Sequence, residues 1–156
     1  MLRTTITIII ADDHLIFRKG LKKILDPVRH INIVGEAENG LELVSAVNRL
    51  KPDIILTDIQ MPVMDGVMAT RELCKRQNNT RIIAMSVFGQ ETHIMEMLEA
   101  GAIGYVMKSA GKKEILEAID AVYEHRPYFC TESSKQITEL IEKYQSGHRD
   151  HLVVFT

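Results

Sequence analysis

Residues 5–13 read Thr-Ile-Thr-Ile-Ile-Ile-Ala-Asp-Asp, a β-branched and almost wholly apolar run that ends in two adjacent carboxylates. This composition is typical of a central strand in a parallel sheet, because helices cover both faces of such a strand. Two acidic residues directly after a buried strand need a partner or a function. The stretch therefore indicates both a fold class and the first part of a candidate site.

The rest of the chain continues as an alternation of predicted strands and helices. Short apolar runs are followed by segments in which apolar residues recur at helical spacing. The predicted strands are residues 5–11, 32–37, 54–57, 81–86 and 104–107. Helical patterns follow each of them, and Pro52 and Pro127 end two of these patterns. Five such units predict an open α/β fold, a flavodoxin-like doubly wound parallel sheet with strand order 2-1-3-4-5.

The last thirty residues have a different pattern. Ser133 with Gln136 has the spacing of a capping box, and apolar residues follow at helical spacing from Ile137 to Tyr144. We therefore predict a domain over residues 1–126, and an extra C-terminal helix with a linker over residues 127–156.

Composition excludes several classes of protein. The chain has 156 residues, which is one domain's worth, with 19 basic and 21 acidic side chains. This balance lacks the basic excess of a nucleic-acid surface. The apolar run from Ile8 to Ala11 is too short to span a bilayer. Cys74 and Cys130 are interpreted as reduced thiols, so a cytoplasmic protein without membrane contact is expected.

Chemically active side chains follow four of the five predicted strands. Asp12 and Asp13 follow the first strand, Asp58 the third and Lys108 the fifth, while Ser86 ends the fourth. Ligands of open α/β sheets bind outside the carboxyl ends of the strands. With the predicted strand order, we expect these five side chains to converge at one edge of the sheet.

Three carboxylates at one site repel one another, and a bound divalent cation removes that repulsion. Ligands that are all oxygen favour Mg²⁺ or Mn²⁺ over zinc. Asp58, in the middle of the set, is then the candidate nucleophile toward a phosphoryl group. Lys108 would neutralise charge on that group, and Ser86 would donate a hydrogen bond to it.

Three stretches together resemble the receiver domain of a two-component response regulator of the LuxR/NarL type. They are residues 9–14 (IIADDH), residues 51–66 (KPDIILTDIQMPVMDG) and residues 102–108 (AIGYVMK), and the resemblance covers residues 5–126. It implies that Asp58 is the phosphoacceptor and that Asp12 and Asp13 hold Mg²⁺. It further implies that the backbone carbonyl of Gln60 completes the metal site and that Tyr105 is a switch residue.

The resemblance also implies partners and an output. A sensor histidine kinase would phosphorylate Asp58, and the face formed by the fourth helix, fifth strand and fifth helix would change its partners. Family members of this bacterial type continue into a helix-turn-helix domain, so we expect transcriptional control through a DNA-binding domain absent from this chain. A homodimer is plausible. Two alternatives remain open. One is a stand-alone receiver that acts by protein contacts, and the other is an Mg²⁺-dependent aspartyl phosphatase.

Other polar residues receive ordinary interpretations. His14 is expected to pack at the start of the first helix rather than to bind metal. Arg18, with three lysines, gives that helix a basic stripe that is interpreted as a solvated face where, by resemblance, kinases dock. We expect no enzyme activity beyond weak self-dephosphorylation. Gln60 and Phe88 flank the expected path of water, and the apolar Phe88 predicts a long-lived phosphoryl group.

Overall fold

The computed structural model describes residues 4–76, 79–87 and 91–129, together with residue 139. Its strands are β1 Ile6–Ala11, β2 Ile31–Ala37, β3 Ile54–Asp58, β4 Arg81–Ser86, β5 Gly104–Met107 and β6 Tyr128–Phe129. Its helices are α1 Leu15–Leu25, α2 Gly40–Leu50, α3 Gly66–Lys75, α4 Glu91–Ala100 and α5 Lys112–Tyr123. The helix predicted over residues 133–144 lies outside the described residues except for residue 139, which is helical.

The strands of the described residues form one parallel sheet with the order β2-β1-β3-β4-β5-β6. The predicted flavodoxin-like order 2-1-3-4-5 is therefore confirmed. The sequence pattern does not predict β6, which is only two residues long and pairs with Gly104 and Tyr105 at the end of the sheet. This short strand covers backbone groups of β5 that would otherwise form an open edge.

Alternate residues of the central strands face opposite sides of the sheet, and both sides are buried. Ile8 and Ile10 of β1 pack among side chains of α1 and α5, such as Leu25 and Ile119. Ile9 of the same strand packs with side chains of α2, α3 and α4. This arrangement explains why the first strand is apolar at successive positions instead of alternating between apolar and polar residues.

Two helices begin close to the carboxyl edge of the sheet with side-chain caps. Asn39 accepts a hydrogen bond from the Glu42 amide at 2.9 Å, and Asp65 accepts one from the Met68 amide at 2.8 Å. Such caps satisfy amide groups that have no partner within the helix. Asp65 thus fixes the start of α3 at Gly66, directly after the loop that follows Asp58.

Candidate functional site

The ends of β1 and β3 bring the predicted carboxylates together. The two strands are hydrogen-bonded neighbours with Ala11 opposite Thr57, so the residues that follow, Asp12 and Asp58, share one edge of the sheet. One ligand atom each from Asp12, Asp13, His14 and Asp58 lies within 4.8 Å of the others. Asp12 and Asp58 are buried and Asp13 is exposed, so the cluster is open to solvent on one side.

Lys108 joins this cluster from the end of β5. Its Nζ lies 2.6 Å from Asp12 Oδ2 and 3.1 Å from Asp58 Oδ2. The backbone amide of Lys108 donates to the Ser86 carbonyl at 2.8 Å, which fixes the start of the side chain beside β4. Its ammonium also lies 4.8 Å from the centre of the Phe17 ring. The side chain of Lys108 is therefore held in place, and its ammonium lies beside the buried carboxylates of Asp12 and Asp58.

The electrostatics of the site favour an added cation. Burial raises the pKa of the Asp58 carboxyl, Lys108 opposes this rise, and the negative charge of Asp12 adds to it. For Lys108, burial lowers the pKa, but hydrogen bonding and charge from Asp12 and Asp58 outweigh it, and the pKa is raised. Lys108 is thus strongly held as a cation, but it brings one positive charge to a cluster with three carboxyl groups, those of Asp12, Asp13 and Asp58.

The loop after β3 holds Asp58 in a defined orientation. Asp58 Oδ1 accepts a hydrogen bond from the Ile59 amide at 2.8 Å, and the carbonyl of Ile59 accepts one from the Gly66 amide at 2.8 Å. The Asp58 carbonyl also accepts a hydrogen bond from the Thr57 hydroxyl. One carboxylate oxygen is therefore tied to the backbone and the other to Lys108, which restricts rotation of the nucleophile candidate.

Ser86, the last residue of β4, and Tyr105, the second residue of β5, form a buried pair. The Ser86 Oγ lies 2.8 Å from the Tyr105 hydroxyl, and either oxygen can be the donor. Only 2% of Tyr105 is exposed, and its ring packs in the core cluster on the side of α4. The predicted switch residue is thus in direct contact with the hydroxyl predicted to meet the phosphoryl group.

Two of the sequence interpretations need correction. The His14 side chain is 70% exposed, so it does not pack, and its Nδ1 lies 3.1 Å from Asp12 Oδ1 and 3.3 Å from Asp13 Oδ1. Arg18 is not on the solvated face of α1, because only 5% of it is exposed. Its guanidinium reaches Glu36 and Glu38 at the end of β2. The sequence shows that Glu36 and Glu38 flank Ala37 at the end of a predicted strand, but it does not show that α1 packs beside them.

Two residues predicted near the path of water have different outcomes. Gln60 is exposed, and its Nε2 lies 3.0 Å from the Nε2 of His93 on α4. Its side chain therefore links the loop after β3 to α4. Phe88 lies outside the described residues.

The fold and the site together define an α/β receiver with an acidic pocket at the carboxyl edge of its sheet. A family model for the response regulator receiver domain matches residues 8–120. The chain therefore belongs to the response regulator receiver family, and the resemblance found in the sequence is confirmed.

Relatives agree with this assignment. The chain is 34% identical over 140 residues to the transcriptional regulatory protein DegU of Brevibacillus brevis, an alignment that covers 90% of this chain and 58% of DegU. A LuxR-family two-component response regulator from Aurantimonas matches 88% of this chain and 99% of its own, with a TM-score of 0.82 and 28% identity.

The receiver domain of the NarL regulator from Mycobacterium tuberculosis matches 79% of this chain and 99% of its own, with a TM-score of 0.75 and 28% identity. The LuxR/NarL type inferred from the sequence is thereby confirmed. The chain spans less than two thirds of the length of the first curated relatives. Within the part of the chain that the structure describes, no helix has the length and apolar character needed to cross a bilayer.

Proposed function

We propose that this chain relays a signal by accepting a phosphoryl group on Asp58 from a sensor histidine kinase. The observation behind this proposal is the buried Asp58 carboxylate, with the ammonium of Lys108 3.1 Å away and the carboxylates of Asp12 and Asp13 beside it. Such a set provides a nucleophile, a fixed cation and oxygen ligands at one point. Membership of the receiver family supports the same assignment.

The donor set fits a hard divalent cation. The ligands offered by Asp12, Asp13 and Asp58 are carboxylate oxygens within 4.8 Å of one another, which suits Mg²⁺ or Mn²⁺. In our proposal these three residues hold the ion, together with the backbone carbonyl of Gln60. When bound, the ion supplies positive charge that neutralises the transferring phosphoryl oxygens.

In the transfer step, a carboxylate oxygen of Asp58 forms a bond to phosphorus while the phosphorus–nitrogen bond of a phosphohistidine breaks. The electron pair of the broken bond stays on the imidazole of the kinase. Lys108 neutralises charge on the equatorial oxygens, because its ammonium is already fixed beside Asp58. The chain serves as an acceptor in this step and performs no turnover beyond slow loss of its own phosphoryl group.

Ser86 connects the phosphoryl group to Tyr105. A hydroxyl has one hydrogen to donate and two lone pairs that accept. When Ser86 donates its hydrogen to a phosphoryl oxygen, it can only accept from the Tyr105 hydroxyl, so phosphorylation fixes the direction of the 2.8 Å hydrogen bond between them. This change acts on the face formed by α4, β5 and α5, which we propose as the surface that changes partners.

The two hydroxyls are predicted to have unequal effects on binding of beryllofluoride, a mimic of the phosphoryl group. Ser86→Ala is expected to weaken binding about tenfold, since it removes a hydrogen bond to a charged group. Tyr105→Phe is expected to change it by less than about threefold, because Tyr105 acts only through Ser86. Titration by NMR measures both, and equal affinity of Ser86→Ala and the parent would contradict the proposed contact.

Control of transcription is the proposed output. DegU, a transcriptional regulatory protein, is longer than this chain, which covers 58% of it. We propose that the natural protein acts in the cytoplasm through a DNA-binding domain outside this sequence, with a homodimer as the phosphorylated form. A stand-alone receiver that acts by protein contacts is the alternative, and the length of the natural protein distinguishes the two.

Intact mass spectrometry tests the acceptor function. After incubation with acetyl phosphate and Mg²⁺, the parent chain is expected to gain one phosphoryl group, whereas Asp58→Asn and a sample with EDTA gain none. Asp26→Asn, which alters an exposed carboxylate at the end of α1, is the matched control and is expected to react like the parent. A phosphoryl group on Asp58→Asn would overturn the proposal.

A further inference from the structure

Arg18 is a buried cation whose partners lie on two segments of the chain, at the ends of β1 and β2. It projects from α1, and its Nη1 donates a hydrogen bond to the backbone carbonyl of Asp12. Its Nε lies 3.2 Å from Glu36 Oε1 and its Nη2 lies 3.5 Å from Glu38 Oε1. A buried guanidinium is stable only when its donors are satisfied, and here each named nitrogen has an acceptor.

The contact with Arg18 gives the backbone carbonyl of Asp12 a hydrogen-bond donor. The Asp12 amide donates to the Ala37 carbonyl at 2.9 Å, and Asp12 Oδ1 accepts from the His14 amide at 2.8 Å. Asp12 Oδ2 lies 2.6 Å from Lys108 Nζ. Asp12 is fully buried, so its carbonyl would incur a large desolvation cost without a donor, and Arg18 is that donor.

We propose that Arg18 is a positioning residue for the metal site, which acts by fixing the peptide group between Asp12 and Asp13. This inference rests on the proposed function, because it assigns those two carboxylates to the metal. The peptide group links the two ligands directly, and its carbonyl oxygen sets its orientation. Without Arg18 the peptide group turns to find another donor, and both carboxylates move with it.

An arginine is required here because of the shape of its head group. The planar guanidinium donates along several fixed directions, so one side chain can reach the carbonyl and both glutamates at once. Glu36 also contacts Lys22, with Lys22 Nζ 3.2 Å from Glu36 Oε2. Lys22 thus belongs to the same ionic network but does not touch Asp12, and it serves as a matched control.

Binding of Mn²⁺ alone tests the proposal. The chain has no tryptophan, so the free ion is followed by electron paramagnetic resonance at a temperature where every variant is folded by circular dichroism. Arg18→Met is expected to bind Mn²⁺ about tenfold more weakly, the usual cost of losing a group that orients a metal ligand. Lys22→Met is expected to stay within about twofold of the parent. A folded Arg18→Met with parental affinity would show a purely structural role and overturn the proposal.

Arg18→Lys decides the question if Arg18→Met does not fold. Lysine keeps the charge but cannot donate to the carbonyl and both glutamates together, so we expect an affinity between those of the parent and Arg18→Met, about threefold below the parent. Parental affinity in Arg18→Lys would contradict the need for the guanidinium. The proposed function fails separately, if the parent chain itself binds no Mn²⁺ or is not phosphorylated.

Discussion

Replacing Lys108 by methionine is expected to slow phosphorylation of Asp58 by acetyl phosphate about 100-fold or more. Methionine keeps an apolar stem of similar length but removes the ammonium that lies 3.1 Å from Asp58 Oδ2 and 2.6 Å from Asp12 Oδ2. The transferring group then loses its fixed cation. The pKa of Asp58 also rises further, since Lys108 lowers it more than the Ile59 amide does, and protonation makes the carboxyl a poor nucleophile.

The rate of mass increase under saturating Mg²⁺ measures this effect. Lys113→Met is the matched control, because it removes the same charge from an exposed position in the first turn of α5. It is expected to react at the parental rate. Equal rates for Lys108→Met and Lys113→Met would show that Lys108 does not act on the phosphoryl group.

Replacing Gly66 by alanine is expected to cost about 3 kcal/mol or more of the free energy of unfolding, a value typical of severe steric clashes. Helix propensity alone predicts the opposite sign, because alanine is favoured over glycine in α3. Sterics decide, since a Cβ at this position would lie 2.2 Å from the backbone carbonyl oxygen of Asp58. The backbone of Asp58 cannot move away from this Cβ without displacing the nucleophile itself.

Gly20→Ala provides the opposite result in the same protein. Gly20 lies within α1, and nothing lies within 4 Å of a Cβ built on it. Alanine there is expected to raise the free energy of unfolding by about 0.5–1 kcal/mol. Urea unfolding followed by circular dichroism measures both variants. A stable Gly66→Ala protein with unchanged phosphorylation would contradict the close packing of α3 on the phosphoacceptor loop.

The sequence was most informative where one physical rule applies to a continuous stretch. Apolar runs marked the central strands, and the residues directly after those strands marked the carboxylates and Lys108. The carboxyl ends of parallel strands meet at one edge, so the convergence of Asp12, Asp58 and Lys108 could be predicted from strand order alone.

Features that depend on contacts between distant segments could not be predicted in this way. Arg18 looks like part of a basic helix face, and only the packing of α1 beside the end of β2 reveals its contacts with Glu36 and Glu38. The strand β6 has only two residues, which is too short for an alternation of apolar and polar residues to be recognised in the sequence. His14 is expected from the sequence to pack at the start of the first helix, whereas its exposed ring lies beside Asp12.

Chemical mapping of the phosphorylated residue tests the central claim most directly. Borohydride reduces an aspartyl phosphate to homoserine, and tryptic peptides locate the product, because Asp58 and the Asp12–Asp13 pair fall on different peptides. After reaction with acetyl phosphate and Mg²⁺, homoserine is expected at position 58 in the parent chain and at no position in Asp58→Asn. Homoserine at position 12 or 13, or an acid-stable phosphate on a hydroxyl, would contradict the assignment of Asp58 as the phosphoacceptor.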